Sequence, residues 1–471
     1  MLKSRALRGA AWTIGARLAG RIVDFVTLVL LARFLSPSDF GLTTLATSII
    51  IVVEMMLEIP IITALMRLPQ IDDKHLDTAF TLGLARGTIV GVVLIILAWP
   101  FVLLYQEPRL LALLIFLTLA PVARSIYSPR IIDYYRDLNF ESYITVDLTG
   151  KVVAAFLSVI SLYLGFGYWA IATHTVMSSL LPTVFSYFRA PYKPKISLEK
   201  FSDFASFIGW FTPAQLVSAL SWQFDRAFLG YFIDRGVLGQ YAIASNLAAL
   251  PIQSIIAPAM SPMMAAFARF SDDRARLKLS VLKATQLTIA ISAPIGLGIS
   301  QTSDLLSSLL FGEHWIGSSK YLSILGLTIV LGSYGQPLTN LAFSLNRPRL
   351  NFQLSLVDLG FKCAAIPVGY AYFGAVGVAY ACVLSSLIIF VVSLYFIDEL
   401  VSTTLLEQII NLKQVTISSA AMFTCVVFLR HLTAGAFVPI VELFLVSTVG
   451  AVIYLSFSVY FGMLPAFGRA K

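Results

Sequence analysis

Arg17, Arg21 and Asp24 share one helical face in an otherwise apolar stretch, and Glu54 with Glu58, Asp147 with Lys151 and Asp358 with Lys362 do the same elsewhere. A charged side chain at the middle of a bilayer costs roughly 2.5–3.5 kcal/mol on insertion scales. Each of these groups therefore needs a partner, an aqueous cavity or a function. Two guanidinium groups one turn apart offer forked donors suited to a phosphate or pyrophosphate. Alternatively, Arg21 and Asp24 neutralise each other and Arg17 extends to the headgroups. Lys151 and Lys362 would draw an anionic substrate if they stood on facing walls of a central cavity. The two Asp/Lys pairs also have the i,i+4 spacing of internal salt bridges. Glu54 and Glu58 are placed either to carry a proton or to pair with the arginines of the first helix. Asp225 next to Arg226 has the form of a local pair near the outer end of a helix. His174 reads as a packed, neutral side chain. The expected binding set is thus Arg17, Arg21, Lys151 and Lys362. The expected ion-coupling or charge-pairing set is Asp24, Glu54, Glu58, Asp147, Asp225 and Asp358.

The elements that carry these groups follow from hydropathy. Apolar residues make up 58% of the 471, and only 12% are charged; soluble domains average roughly 25% charged. Mean hydropathy is +0.85. A spanning helix needs about 20 mostly apolar residues. Such runs occur near 10–32, 40–65, 79–104, 110–128, 144–164 and 168–188. Beyond a polar linker they recur near 206–230, 237–264, 284–310, 321–343, 353–371 and 375–396, and then near 413–430 and 437–461. The expected fold is an all-α polytopic membrane protein of about fourteen transmembrane helices. Lys3, Arg5 and Arg8 precede the first run as in a signal peptide, but Arg17, Arg21 and Asp24 interrupt it, which favours a retained first helix. If the N-terminus is cytoplasmic, the outer loops hold only Arg33, Arg109, Arg235, Lys320 and Arg430 of the 33 Lys and Arg. That asymmetry predicts cytoplasmic N- and C-termini.

The sequence repeats itself. Leu35-Ser-Pro-Ser-Asp-Phe-Gly41 aligns with Ile233-Asp-Arg-Gly-Val-Leu-Gly239, so the offset is 198 (239 minus 41). Leu138-Asn139-Phe140 leads to Asp147 and Lys151, as Leu350-Asn351-Phe352 leads to Asp358 and Lys362. Val176-Met-Ser-Ser-Leu180 matches Val383-Leu-Ser-Ser-Leu387. The matches predict two pseudo-symmetric six-helix lobes plus two C-terminal helices. Residues 1–190 form the first lobe, 191–205 a cytoplasmic linker, 206–397 the second lobe and 398–471 the added pair. Six helices is an even number, so both lobes keep one orientation, as in many transporters.

Several function classes lack support in the sequence. The net charge of +8 lies in short clusters between apolar runs, not in the basic stripe of a nucleic-acid binder. There is no nucleotide-binding G-x-x-x-x-G-K-[ST], no G-x-S-x-G elbow and no H-E-x-x-H pair. Cys363, Cys382 and Cys425 lie in apolar runs without metal-binding spacing. No metal, cofactor, nucleic-acid partner or enzyme activity is expected.

Five segments carry a family likeness: Leu31-Ala-Arg-Phe-Leu-Ser-Pro-Ser-Asp-Phe-Gly41, Asp225-Arg-Ala-Phe-Leu-Gly230 with Leu238-Gly-Gln-Tyr-Ala242, Leu310-Phe-Gly-Glu-His-Trp315, and Asn346-Arg-Pro-Arg349. In order and spacing they resemble the polysaccharide transporter (Wzx-type) family of the multidrug/oligosaccharidyl-lipid/polysaccharide (MOP) flippase superfamily, close to colanic-acid and succinoglycan exporters. The resemblance implies a twelve-helix core of two lobes with two added helices. It implies a flippase that moves an undecaprenyl-diphosphate-linked oligosaccharide across the bacterial inner membrane for surface polysaccharide synthesis. Membrane lipids and a polysaccharide polymerase or export machinery are the other implied partners. The family's cationic cavity maps by region and charge to Arg17, Arg21, Lys151 and Lys362. The rival reading is a cation-coupled multidrug antiporter of the same superfamily.

Overall fold

The computed structural model describes residues 2–59, 61–68, 70–136, 140–433 and 435–463. Among them there are helices and connecting turns and no strands. Helical structure follows from the medium, because a backbone in hydrocarbon must satisfy its own hydrogen bonds. Nine helical stretches among the described residues are long and apolar enough to cross a membrane, one of them the 53-residue stretch Arg349–Val401. The chain is a multi-pass membrane protein, and its helices are consistent with the fourteen expected spans.

The chain divides into two compact units, Met1–Gly239 and Gln240–Lys471. The first contains α1 (Leu2–Phe34), α2 (Pro37–Met56), α3 (Ile61–Arg67), α4 (Asp73–Tyr105), α5 (Arg109–Leu117), α6 (Leu119–Ser125), α7 (Ile132–Arg136), α8 (Phe140–Tyr163), α9 (Trp169–Arg189) and α10 (Phe201–Phe232). It also holds the first turn of α11 (Arg235–Pro251). Here α8 lies between α1 and α9, while α2 packs on α5 and α10, and α6 on α4 and α9. On α4 the side chains of Ile89, Val92, Ile96, Trp99 and Leu103 are each half or more exposed. Their i,i+3/i,i+4 spacing makes one apolar stripe, which suits lipid and not water.

Helix starts are written into the sequence. Ser36 and Asp39 form a reciprocal capping box at α2, with Pro37 in the first turn. At the repeat-related start of α11, Asp234 accepts from the backbone N–H of Gly236 at 2.6 Å. The two starts also touch. A β-carbon on Gly41 would lie 1.8 Å from the carbonyl oxygen of Arg235, and one on Gly239 would lie 1.8 Å from that of Pro37. Only glycine permits this reciprocal approach.

The expected span 40–65 is not continuous. Helix α2 ends at Met56 and α3 begins at Ile61. The proline that follows Ile59 disfavours helical backbone at Ile59, and the break leaves the last carbonyls of α2 without helical partners.

The second unit contains the rest of α11, α12 (Ala257–Arg269), α13 (Arg274–Gln301), α14 (Ser303–Phe311), α15 (Ser319–Ser333), α16 (Gly335–Ser344), α17 (Arg349–Val401), α18 (Leu405–Asn411), α19 (Lys413–Thr433) and α20 (Pro439–Tyr460). Helix α13 is its axis, in contact with α15, α16 and α19. A buried core gathers Phe267, Val281, Tyr334, Leu338, Ile397 and Val415. At Gly374, where φ is +59°, the 53-residue stretch α17 folds back on itself. Gly369 and Gly377 then lie against each other, which a straight helix cannot achieve. The expected spans 353–371 and 375–396 are the two arms of this hairpin. The last two helices are fastened by Arg430, which donates to both carboxylate oxygens of Asp304 at 2.9 and 2.6 Å.

Candidate functional site

Two polar clusters stand inside the first unit and one inside the second. The first cluster lies among α1, α8 and α9. Lys151 donates to Asp24 at 3.1 Å, with both side chains partly exposed. Gly20 lies beneath the amine: a β-carbon there would sit 3.6 Å from Nζ. Asp147 occupies the preceding turn of α8. His174, on α9, has its Nδ1 buried without a hydrogen-bond partner among the described residues.

This arrangement corrects two pairings drawn from spacing. Lys151 bonds across helices to Asp24 and not along its own helix to Asp147. Asp24 in turn takes Lys151 and not Arg21. The packing of α1 on α8 brings Asp24 within reach of a lysine long enough to cross, and spacing along one helix carries no information about a second. Arg21 is exposed and has no ion pair among the described residues. The side chain of Arg17 lies outside the described residues.

The second cluster forms at the break in α2. Arg86, on α4, is buried. Its Nε donates to the carbonyl of Leu57 at 2.9 Å and its Nη2 to the carbonyl of Glu54 at 3.3 Å. Arg86 thus caps the open end of α2, and it also pairs with the carboxylate of Glu58. The carboxylate of Glu54 accepts from Arg124 of α6 at 2.9 Å and lies 3.8 Å from Arg86. Among the described residues Glu54 and Glu58 are therefore paired with Arg86 and Arg124, and not with Arg21 of α1. The break turns both acids toward α4 and α6. Arg124 stands near the end of an expected span, where a basic residue reads as a loop charge. Its partner Glu54 lies 70 positions away on another helix, so the local sequence held no signal for its role.

In the second unit, Lys362 donates to Asp358 at 2.9 Å, the i,i+4 pair that the spacing predicts. The hairpin of α17 adds a bond from the hydroxyl of Ser385 to the same carboxylate. Asp225 is buried on α10, two residues from Gln223, which accepts from Ser48 of α2 at 2.9 Å. No group of three or more His, Cys, Asp or Glu residues able to hold a metal occurs among the described residues. Chemically, these clusters can hold anions, exchange ion-pair partners and carry protons.

Residues 30–320, more than half of the chain, match the family model of polysaccharide biosynthesis proteins. The chain belongs to this family. Among its polysaccharide-biosynthesis relatives, the lipopolysaccharide biosynthesis protein WzxC of Escherichia coli K12 is 25% identical over 405 residues, 84% of this chain and 81% of that protein. The succinoglycan biosynthesis transport protein ExoT of Rhizobium meliloti 1021 is 23% identical over 330 residues, 68% of this chain and 65% of that protein. The fold matches the lipid II flippase MurJ in an inward closed conformation, with a TM-score of 0.75 at 16% identity, covering 97% of this chain and 98% of that one. An inward-facing multidrug resistance MATE transporter of the MOP superfamily matches at a TM-score of 0.63 and 15% identity, covering 83% and 98%. The expected fold and family are borne out.

Proposed function

We propose that the protein is a flippase that moves an undecaprenyl-diphosphate-linked oligosaccharide across the bacterial inner membrane for surface polysaccharide synthesis. The observation that carries this reading is membership of the polysaccharide biosynthesis family joined to the MurJ-like fold over nearly the whole chain. The N- and C-termini face the cytoplasm. The lobes 1–190 and 206–397, joined by 191–205, open the path alternately to the two faces of the membrane. The exposed cation of Arg21 supports recognition of a diphosphate, with Arg17 beside it in sequence. Lys151 and Lys362 carry carboxylate partners at 3.1 and 2.9 Å and would meet the substrate by exchanging them. The same carboxylates, with Asp147, Glu54, Glu58 and Asp225, are the groups through which an ion would be coupled. No catalytic role is proposed, and a polysaccharide polymerase or export machinery is the expected partner.

The MATE-like fold also suits the antiporter reading, in which a cationic drug is expelled. A strain lacking the native gene separates the two. Restoration of surface polysaccharide by the wild-type chain, with unchanged drug susceptibility, is expected. The double variant Arg17→Ala/Arg21→Ala, at normal protein level, is expected to lose most of the export. Full export by that variant removes those residues from the mechanism, and a drug phenotype without a polysaccharide phenotype replaces the flippase with the antiporter.

A further inference from the structure

The cluster at the break of α2 lies at a definite depth. Helix α4 has 33 residues, about 50 Å at 1.5 Å per residue, against a hydrocarbon core of about 30 Å. Its run from Gly87 to Tyr105 has no charged residue and rises about 28 Å, which fills that core. With the hydrocarbon core set on this uncharged run, Arg86 falls at its boundary, opposite the end that carries Glu107 and Arg109. Glu54, Glu58 and Arg124 share this level because they touch Arg86 or one another. The phosphates of lipid headgroups reside at this level.

The two arginines of the cluster differ in what they can do. Arg86 is 9% exposed and is held by two carbonyls and a carboxylate. It is fixed. The side chain of Arg124 is 50% exposed and spends one nitrogen, Nη2, on Glu54. Its other guanidinium nitrogens have no partner among the described residues. Leu119, five residues earlier on α6, is 51% exposed but points about 140° away around the helix. Arg124 is thus exposed on a different side from that apolar face. Glu54 meanwhile has a second arginine within reach, since its other carboxylate oxygen lies 3.8 Å from Nη2 of Arg86.

We propose that Arg124 is a phosphate-binding residue at the headgroup level, and that it is released for this role when Glu54 moves from Arg124 to Arg86. The ligand class is a lipid phosphate or diphosphate. A bidentate guanidinium–phosphate contact replaces the single bond to Glu54, and Glu54 keeps a cationic partner throughout. Glu54 and Glu58 would then share Arg86, which spares Glu54 the full cost of a buried carboxylate left without a cation. Assignment of the site to the transported lipid rests on the flippase reading above.

The test uses purified full-length protein in neutral detergent, with farnesyl diphosphate as probe, farnesol as the uncharged control and dioctanoyl phosphatidylglycerol as competitor. The wild type is expected to bind farnesyl diphosphate and not farnesol. Arg124→Gln is expected to weaken binding about tenfold or more, and Arg124→Lys to retain most of it. Glu54→Gln removes the internal competitor and is expected to tighten binding several-fold, the opposite of what loss of a purely structural pair would give. Binding by Arg124→Gln within twofold of wild type, or weaker binding by Glu54→Gln, overturns the proposal. Phosphatidylglycerol competing as well as the diphosphate would assign the site to bilayer lipid and not to the transported one. Transport of lipid-linked oligosaccharide with Arg124→Gln binding unchanged sinks this site alone. Binding through Arg124 in a wild type that transports nothing sinks the flippase reading and leaves the site.

Discussion

Lys151 shows what a charge in this chain is worth. Its bond to Asp24 ties α8 to α1 at a partly exposed position, so removal of either partner leaves an unmatched charge near hydrocarbon. Asp24→Asn and Lys151→Met are each expected to lower the unfolding temperature in detergent. The double variant should recover part of the loss, with a coupling of roughly 1 kcal/mol. Additive losses in the four-protein cycle would show that the contact contributes nothing. The sequence made the identities of the charged residues plain but not their partners. Asp358 with Lys362 was readable because both lie on one helix. Asp24 with Lys151 was not, because 127 positions separate them. Arg124 was unreadable as a functional group for a related reason, since its meaning comes from Glu54 on another helix.

The elements were legible wherever composition alone defines them. Long apolar runs became helices, although the run expected from residue 40 starts earlier, at Pro37, behind the capping box of Ser36 and Asp39. The break between α2 and α3 was less legible, because most residues around it are apolar and a hydropathy window does not register one lost turn. What secures the break is Arg86, a residue 28 positions beyond Glu58. The start of α2 gives a sharper test. Gly41→Val and Gly239→Val each drive a side chain into a backbone carbonyl that would lie 1.8 Å away, so both variants are expected to unfold many degrees below wild type. Gly360 in α17 has no atom within 4 Å of its would-be β-carbon. Gly360→Ala should be neutral or stabilise by up to about 1 kcal/mol through helix propensity. Thermal unfolding in detergent reads all three, and a tolerated Gly41→Val would show that the close approach is not required.

The chain as a whole was the most legible of all. A composition that no soluble core can bury, and repeated runs of about 20 mostly apolar residues, are enough by themselves to specify a multi-pass helical protein. Family membership then narrows its work to polysaccharide biosynthesis, on a fold like that of MurJ. The resemblance in the sequence pointed the same way, through motifs such as Leu35-Ser-Pro-Ser-Asp-Phe-Gly41 that prove to be helix caps and a glycine contact. Those motifs preserve architecture and say little about which cation meets a phosphate. That information lies in pairings between distant helices, where hydropathy and local spacing are silent. The most direct measurement is transport itself. Purified protein is reconstituted into vesicles with a fluorescent polyprenyl-diphosphate oligosaccharide in both leaflets, and the fraction open to a membrane-impermeant quencher is followed over time. Vesicles containing the protein should expose nearly all of the label within the assay, while protein-free vesicles hold about half of it protected. Equal protection in the two sets of vesicles would contradict the flippase reading.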